Sequence, residues 1–316
     1  VTPARATTGI VEGVVAVVGQ VGRDLVLRVD EVPAAGGSTA VRERREVLGG
    51  KGANQAVAAA QLGMSAALVG VVGDDPAGEQ VLAQARQDGV DVRRVVRREG
   101  ATTALLVDVV AGGQRRLLED ASEQVQLTAA DVHAATGLLR RAAAVLVQLQ
   151  QPAEAVSAAL RIAREAGRFT VVDGACRDAS VRQEVLAAAT VLRADAHEAE
   201  LFCGRALRGA DAVLDAAREL VGRGPRLVVL EAGAAGNAVA WEGGGELVPL
   251  TGVEVVDPTG GGDSFTAALA VALLRGEEVE RAARWATAAA GSTVQRLGGR
   301  PALSPEELDE QANLLP

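Results

Sequence analysis

Asp257-Pro258-Thr259-Gly260-Gly261-Gly262-Asp263-Ser264-Phe265 joins three consecutive glycines to two carboxylates. The run that follows, Thr266 to Arg275, is dominated by Ala, Leu and Val and stops at Gly276, which predicts a helix with a glycine just past its end. The three glycines then sit at a helix N-terminus, where unpaired amides and the macrodipole favour an anion. Asp263 would repel that anion unless it has a separate task. The chemistry that suits both groups is a phosphoryl group held by the amides while Asp263 takes a proton from an attacking hydroxyl. The same residues also read as a glycine loop with an ordinary Asp at a helix start, and this stretch alone does not separate the two.

A second glycine cluster, Gly49-Gly50-Lys51-Gly52-Ala53-Asn54, offers close backbone approach with an amine and an amide, a set that hydrogen-bonds sugar hydroxyls. Taken by itself it is also a flexible basic turn. Asp24 follows Gly22 and could accept bonds from two adjacent hydroxyls, or be a surface turn. Other phosphate and nucleophile motifs are missing: there is no G-x-x-x-x-G-K-[ST], no G-x-G-x-x-G and no G-x-S-x-G. His133 and His197 read as helix surface residues, and Cys176 and Cys203 have no metal-ligand spacing. Two carboxylates and a lysine converging on an anion-binding helix end suggest phosphoryl transfer onto a polyol.

The elements that must position these residues follow a β-α alternation. Val14–Val18 is an apolar run that reads as a buried strand, and Asp24 lies just past its carboxyl end, where open α/β sheets bind ligands. Strands are also expected over Ala67–Val72, Val145–Leu149, Phe169–Asp173, Thr190–Arg193 and Leu227–Leu230, with Asn237–Trp241 antiparallel beside the last. Helices are expected between them, among them one capped by Thr128, one capped by Asp211, and a last one opened by a Ser304–Glu307 capping box. Two stretches differ. In residues 25–47, Leu25, Leu27 and Val29 alternate with Val26, Arg28 and Asp30. In residues 102–118, Ala104–Val110 and Gln114–Leu118 flank a Gly112-Gly113 turn. Together they predict a small half-exposed sheet acting as a lid. The fold class is therefore α/β: a three-layer α/β/α sandwich with a mostly parallel central sheet and a β lid, spanning residues 14–316 after a disordered leader over residues 1–13.

Composition agrees. Among 316 residues there is no Tyr, with three Phe and two Trp, so the core is built from Ala, Val and Leu. A net charge of −9 speaks against nucleic acid or an anionic membrane as partner, and the Arg93–Arg98 run reads as a solvated strand face. No signal-peptide core or bilayer-length apolar run occurs, and two distant cysteines suit a reducing cytoplasm.

Gly49-Gly-Lys-Gly-Ala-Asn-Gln-Ala56 together with Asp257–Phe265 resembles the two signatures of the ribokinase-like carbohydrate kinases, in the same order. Gly70-Val-Val-Gly-Asp-Asp75 and Gly236 also fall where that family has them, and the similarity runs from about Val14 to Leu315. The resemblance implies ATP-dependent phosphorylation of a primary hydroxyl on a pentose or related sugar. Asp263 would be the catalytic base and Gly260, Gly261 and Gly262 the anion hole. Gly22, Asp24, Gly50, Lys51, Asn54 and Gln150 would face the sugar. Asp195, Glu231, Gly233, Gly236 and Thr287 would face ATP, with Glu198 reaching Mg²⁺ indirectly. A K⁺ beside the anion hole would involve Asp257, Thr259, Thr293, Arg296, Gly298 and Ala302. The resemblance also implies a homodimer through the lid strands.

Some residues depart from the family pattern. Gly22 stands for an Asn, Gln150 for a Glu, Asp195 for an Asn, Glu231 for a Thr or Ser, and Ala302 for a residue with a hydroxyl. The set implied for catalysis is intact while the substrate-facing set is altered. Asp195 adds negative charge near the ATP phosphates, which calls for Mg²⁺ or an arginine to offset it. A nucleoside kinase is an alternative, disfavoured by the lack of aromatics to stack a base. A sugar-binding regulatory protein without turnover is another.

Overall fold

The computed structural model describes residues 13–176 and 178–315, so all but the last residue of the expected leader lies outside the described residues. In chain order the strands are β1 (Val14–Val18), β2 (Gly22–Val29), β3 (Val41–Gly49), β4 (Ser65–Gly73) and β5 (Val90–Arg98). Then come β6 (Leu105–Ala111), β7 (Gln114–Asp120), β8 (Ala144–Gln148), β9 (Phe169–Asp173) and β10 (Val191–Ala194). The last three are β11 (Leu227–Glu231), β12 (Asn237–Trp241) and β13 (Gly244–Val248). Nine of these form one sheet in the order β13-β12-β11-β10-β9-β8-β1-β4-β5, parallel except at the β11-β12-β13 edge.

The central strands are apolar at nearly every position because helices cover both faces, as parallel sheets require. Alternation along each strand sends side chains to opposite layers. Val15, Val17, Leu146 and Val171 join a core with the Lys51–Gln61, Gly261–Leu274 and Val279–Val294 helices. Ala16, Val18, Val147 and Val172 join a second core with the Ala153–Glu165 and Ala210–Val221 helices. With side chains this small the helices approach the sheet closely, and the Gly261–Leu274 helix is buried from Ser264 through Ala272. A helix apolar on all sides belongs inside a protein.

The remaining strands make a separate sheet, β3-β2-β6-β7, in which β2 pairs with β6 in parallel and the other pairings are antiparallel. It leans on the body through Val26, Val110 and Leu297. The pleat runs opposite to the simple alternation expected. Asp24 and Val26 face inward while Leu25 and Leu27 are half-buried, and an irregularity at Arg28/Val29 turns Val29 back in. An extra residue in one strand shifts which side chains face the core.

Helix starts also differ in places. The helix expected to be capped by Asp211 begins from Gly209, and Asp211 lies in its first turn, where its charge still suits the dipole. Thr128 and Asp131 do form a reciprocal capping box, but the helix breaks at Ala135 into Ala129–Ala134 and Thr136–Leu139. At Ser304 only half of the box is made: its hydroxyl accepts from the Glu307 amide, and it donates to Glu306 rather than drawing Glu307 back. The Arg93–Arg98 run is on β5 at the sheet edge, with Arg97 paired to Asp74 and Glu79 and Arg98 to Asp131. Among the described residues no helix is long and apolar enough to cross a membrane.

Candidate active site

Strands β8, β9, β10 and β11 all end at one edge of the large sheet, and each carries a polar residue at or near its carboxyl end: Gln148, Asp173, Arg193 and Glu231. The small sheet stands over this edge. Between them lies a cavity of about 630 Å³ whose walls include Asp24, Gly50, Lys51, Asn54, Gln150, Thr259, Gly260 and Asp263. Residues more than two hundred positions apart therefore share one space.

Asp263 sits in the first turn of the Gly261–Leu274 helix, which starts from Gly260 with φ 73°. A left-handed φ is open to glycine, and a side chain at Gly260 would come 1.8 Å from the Gly299 carbonyl oxygen. The amides of the first turn have no acceptor within the helix, so they remain available to an anion. The Asp263 carboxylate accepts from the Asn54 side-chain amide at 3.1 Å and from Gln55 at 3.3 Å. Burial, reinforced by the nearby Asp173 carboxylate and opposed by Lys51, pushes its pKa up to about 6. A carboxylate tuned that way is ionised at neutral pH yet basic enough to take a proton.

Asp24 lies at the opposite wall on β2. Gly49 leaves the space its carboxyl fills: a side chain there would come within 1.9 Å of it. The Gly50 amide donates to the carboxyl, but Oδ1 is buried with no partner. Burial and the neighbouring Asp108 raise its pKa to about 7, with Arg115 acting against them. That shift is worth on the order of 4 kcal/mol in favour of the neutral form. Buried polar atoms are nearly always bonded, so an orphaned oxygen on a residue of the cavity wall is an exception to the usual pattern.

Lys51 reaches Glu198 at 3.5 Å, and Gln150 donates to the same carboxylate at 2.5 Å. Burial disfavours the charged Lys51, but Asp173, Glu198 and Asp263 overcome this and raise its pKa. Asp195 is the N-cap of the Ala196–Cys203 helix and exchanges bonds with Glu198 in a capping box. Its extra charge relative to Asn is thus spent on a helix N-terminus, where carboxylates are favoured.

The structure does not bring every expected residue to the cavity. Gly22 packs against Ala104 instead of facing it. Glu231 ends β11, and Gly233 and Gly236 lie on the loop that follows, all three outside the cavity walls. Thr287 is buried in its helix and its hydroxyl is taken by the Ala283 carbonyl. Asp257 is fully buried and accepts from the Thr259 amide and hydroxyl and from the Gly298 amide, which clamps the glycine loop to the turn at Gly298. Thr293 bonds Ser264 and its own helix, while Arg296 is exposed and donates to the Ala302 carbonyl.

Several contributing residues carry no role in the sequence reading, Gln55 although it lies within the Gly49–Ala56 signature. Gln55 and Asp173 back Asp263, Arg193 pairs with Asp173, and Asp108 and Arg115 stand beside Asp24. For Asp173 and Arg193 a signal existed, namely a charge near the carboxyl end of an otherwise apolar strand.

Residues 14–306 match the family described as pfkB family carbohydrate kinase. The chain belongs to that family. It is 32% identical over 288 residues to the ribokinase of Bacillus subtilis, covering 90% of this chain and 94% of that protein. It is 33% identical over 295 residues to an ATP-dependent ribose-1-phosphate kinase of Halopiger xanaduensis, covering 90% and 93%. The fold superimposes on the Arabidopsis thaliana ribokinase crystallised with ribose and ATP with a TM-score of 0.79 at 24% identity, over 96% of this chain and 99% of that one. This pfkB family member is thus an ATP-dependent sugar kinase with the ribokinase-like fold. The donor set fits the cofactors such a kinase needs. The free amides at Gly260–Gly262 suit a phosphoryl group. Among the described residues no group of three or more His, Cys, Asp or Glu could hold a metal by itself. Mg²⁺ ordinarily uses one or two carboxylates together with substrate phosphates. Glu198, with its carboxylate already bonded to Gln150 and Asp195, fits an indirect role through water.

Proposed function

We propose that this sugar kinase phosphorylates a primary hydroxyl of a pentose or closely related sugar. Asp24, Lys51 and Asn54 hold the sugar, Asp263 accepts the hydroxyl proton, and the Gly260–Gly262 amides receive the transferred phosphoryl. The observation that carries this reading is one cavity walled by Asp263 at a glycine helix start and by Asp24 with its unpartnered oxygen. Phosphoryl transfer asks chiefly for alignment and charge stabilisation, and both walls are rigid elements that supply it. Bound Mg²⁺ would offset charge on the ATP phosphates. Asp195, Glu231 and the Gly233–Gly236 loop face the nucleotide in this reading, and Asp257 with Thr259 and Gly298 flanks a K⁺. The exposed Leu117 and Leu118 on edge strand β7 suit a homodimer contact at the lid, and the free cysteines suit a reducing cytoplasm.

A phosphorylated pentose is a second candidate substrate, favoured by Arg115, which lines the cavity from the lid. Steady-state ATP turnover with D-ribose, 2-deoxy-D-ribose, D-xylose, L-arabinose, D-ribose 1-phosphate and adenosine decides among these. Fastest turnover of a free pentose is expected. Calorimetric binding of a pentose with no phosphorylated product would sink the kinase reading and leave a binding protein, and preference for adenosine would replace the substrate class.

A further inference from the structure

Arg193 is an unusual residue to find where it is. It lies near the end of the otherwise apolar strand β10, its side chain is only 11% exposed, and its guanidinium packs on the first turn of the Gly261–Leu274 helix. A side chain at Gly262 would come 2.8 Å from both of its terminal nitrogens, so the third glycine of the anion hole is what makes room for it. A cation at a helix N-terminus opposes the macrodipole, and burying it adds a desolvation cost. Carboxylates must offset both. Asp173 on β9 accepts from Arg193 at 3.1 Å, while Glu231 stands farther away at 3.9 Å and is itself 43% exposed.

Asp173 is also the link to the proposed base. Its other oxygen accepts from Gln55 at 2.9 Å, and the same Gln55 nitrogen reaches Asp263 at 3.3 Å. A chain of contacts therefore runs from Asp263 through Gln55 and Asp173 to Arg193. The charged or titratable groups acting on Asp263 are Lys51 from the Lys51–Gln61 helix, Asp173 from β9 and Asp24 from β2. Two of these three are negative. Asp173 raises the Asp263 pKa even with Arg193 beside it, and would raise it further were its own charge left unpaired.

We propose that Arg193 is a positioning residue of the phosphoryl-transfer site, neutralising Asp173 behind Asp263 and bracing Gly262 so that base and anion hole keep one geometry. This rests on the reading of Asp263 as base. Arg193 touches the base only through Asp173 and Gln55, and its role is electrostatic as well as steric.

Carbon-13 NMR of protein labelled at the aspartate carboxyl carbons tests it without turnover, the Asp263 signal being assigned by its loss in Asp263→Asn. In Arg193→Met the Asp263 titration midpoint should rise by about one pH unit or more, since an unpaired charge within a few ångströms moves a carboxyl by about that much. In Asp173→Asn the midpoint should fall, and the Arg193→Met/Asp173→Asn double variant should follow Asp173→Asn. The acid limb of kcat/KM, measured with the sugar that is turned over fastest, should move in the same directions. A folded Arg193→Met variant with the wild-type midpoint, losing activity equally at every pH, would show a merely structural arginine and overturn the proposal. Should Arg193→Met not fold, an unmoved midpoint in Asp173→Asn overturns it equally, because the coupling it needs would be absent. An active Asp263→Asn variant would instead remove Asp263 as base, a separate failure that the NMR shifts do not share.

Discussion

The two walls of the cavity are built on opposite plans. On the phosphoryl side the polar groups are bonded to one another: Asp263 to Asn54 and Gln55, Asp173 to Gln55 and Arg193, Asp257 to Thr259 and Gly298. On the lid side Asp24 keeps a buried oxygen without a partner, and so does Asp108 next to it. Gln55 Oε1 is an exception on the first wall, buried without a partner. The carboxylates of that wall, Asp263, Asp173 and Asp257, are all bonded before any ligand arrives, as charge stabilisation in a transition state requires. The second is left incomplete, which costs stability in the free protein and makes binding of hydroxyl donors more favourable.

The two walls should therefore fail differently. The largest effect belongs to the locked wall. Asp263→Asn should lose at least about 10²-fold in kcat while sugar affinity by calorimetry stays near wild type; equal loss of affinity would put Asp263 among the sugar ligands instead. Gly260→Ala comes next. Its methyl would meet the Gly299 carbonyl, and alanine resists the positive φ, so the anion hole should shift. Turnover should fall roughly 10- to 100-fold and stability by about 2 kcal/mol in denaturant melts.

The incomplete wall should respond with the opposite sign in stability. Asp24 has a folded-state pKa of about 7, above its ordinary value, so the folded state holds its proton more tightly than the unfolded chain does. Its contribution is favourable at acid pH and is lost as pH rises through about 7. Asp24→Asn should therefore raise stability at pH 8 by on the order of 1–3 kcal/mol, a gain that disappears towards pH 4, while raising the sugar KM roughly tenfold. A destabilised variant at pH 8 would mean that the carboxyl is satisfied in the free protein. The smallest effect concerns the proposed cation. Ala302 offers only its carbonyl, already accepting from Arg296, so Ala302→Ser should change stimulation by KCl no more than a few-fold. A large gain would show that a side-chain oxygen was the missing ligand.

Legibility followed the same division. The Gly49–Asn54 and Asp257–Phe265 stretches could be read because glycines at helix starts leave a pattern in sequence, and the strands β1, β9 and β12 because burial on both faces leaves short, mostly apolar runs. The pleat of β2 could not be read, since the irregularity at Arg28/Val29 decides which side chains turn inward. Nor could the role of Asp195, whose extra charge is absorbed by a helix start, the Glu198 backbone amide donating to its carboxylate. The hydroxyl bond of Thr287 was hidden for a related reason: a threonine in a helix can bond its own backbone, and nothing in its neighbours signals that.

The sequence by itself determined the β-α alternation, the two glycine signatures and the presence of a lysine, an amide and carboxylates suited to phosphoryl transfer onto a polyol, because each of these depends on residues close together in the chain. Only the tertiary structure decided that Asp173 and Arg193, on adjacent parallel strands, stand behind Asp263, and that Asp24 lines the cavity while keeping a buried oxygen unmatched. Charges act through space, and burial by distant segments sets how strongly they act. Asp257–Phe265 names the kind of reaction. The packing of β9 and β10 behind it sets the charge that Asp263, its proposed base, must work against.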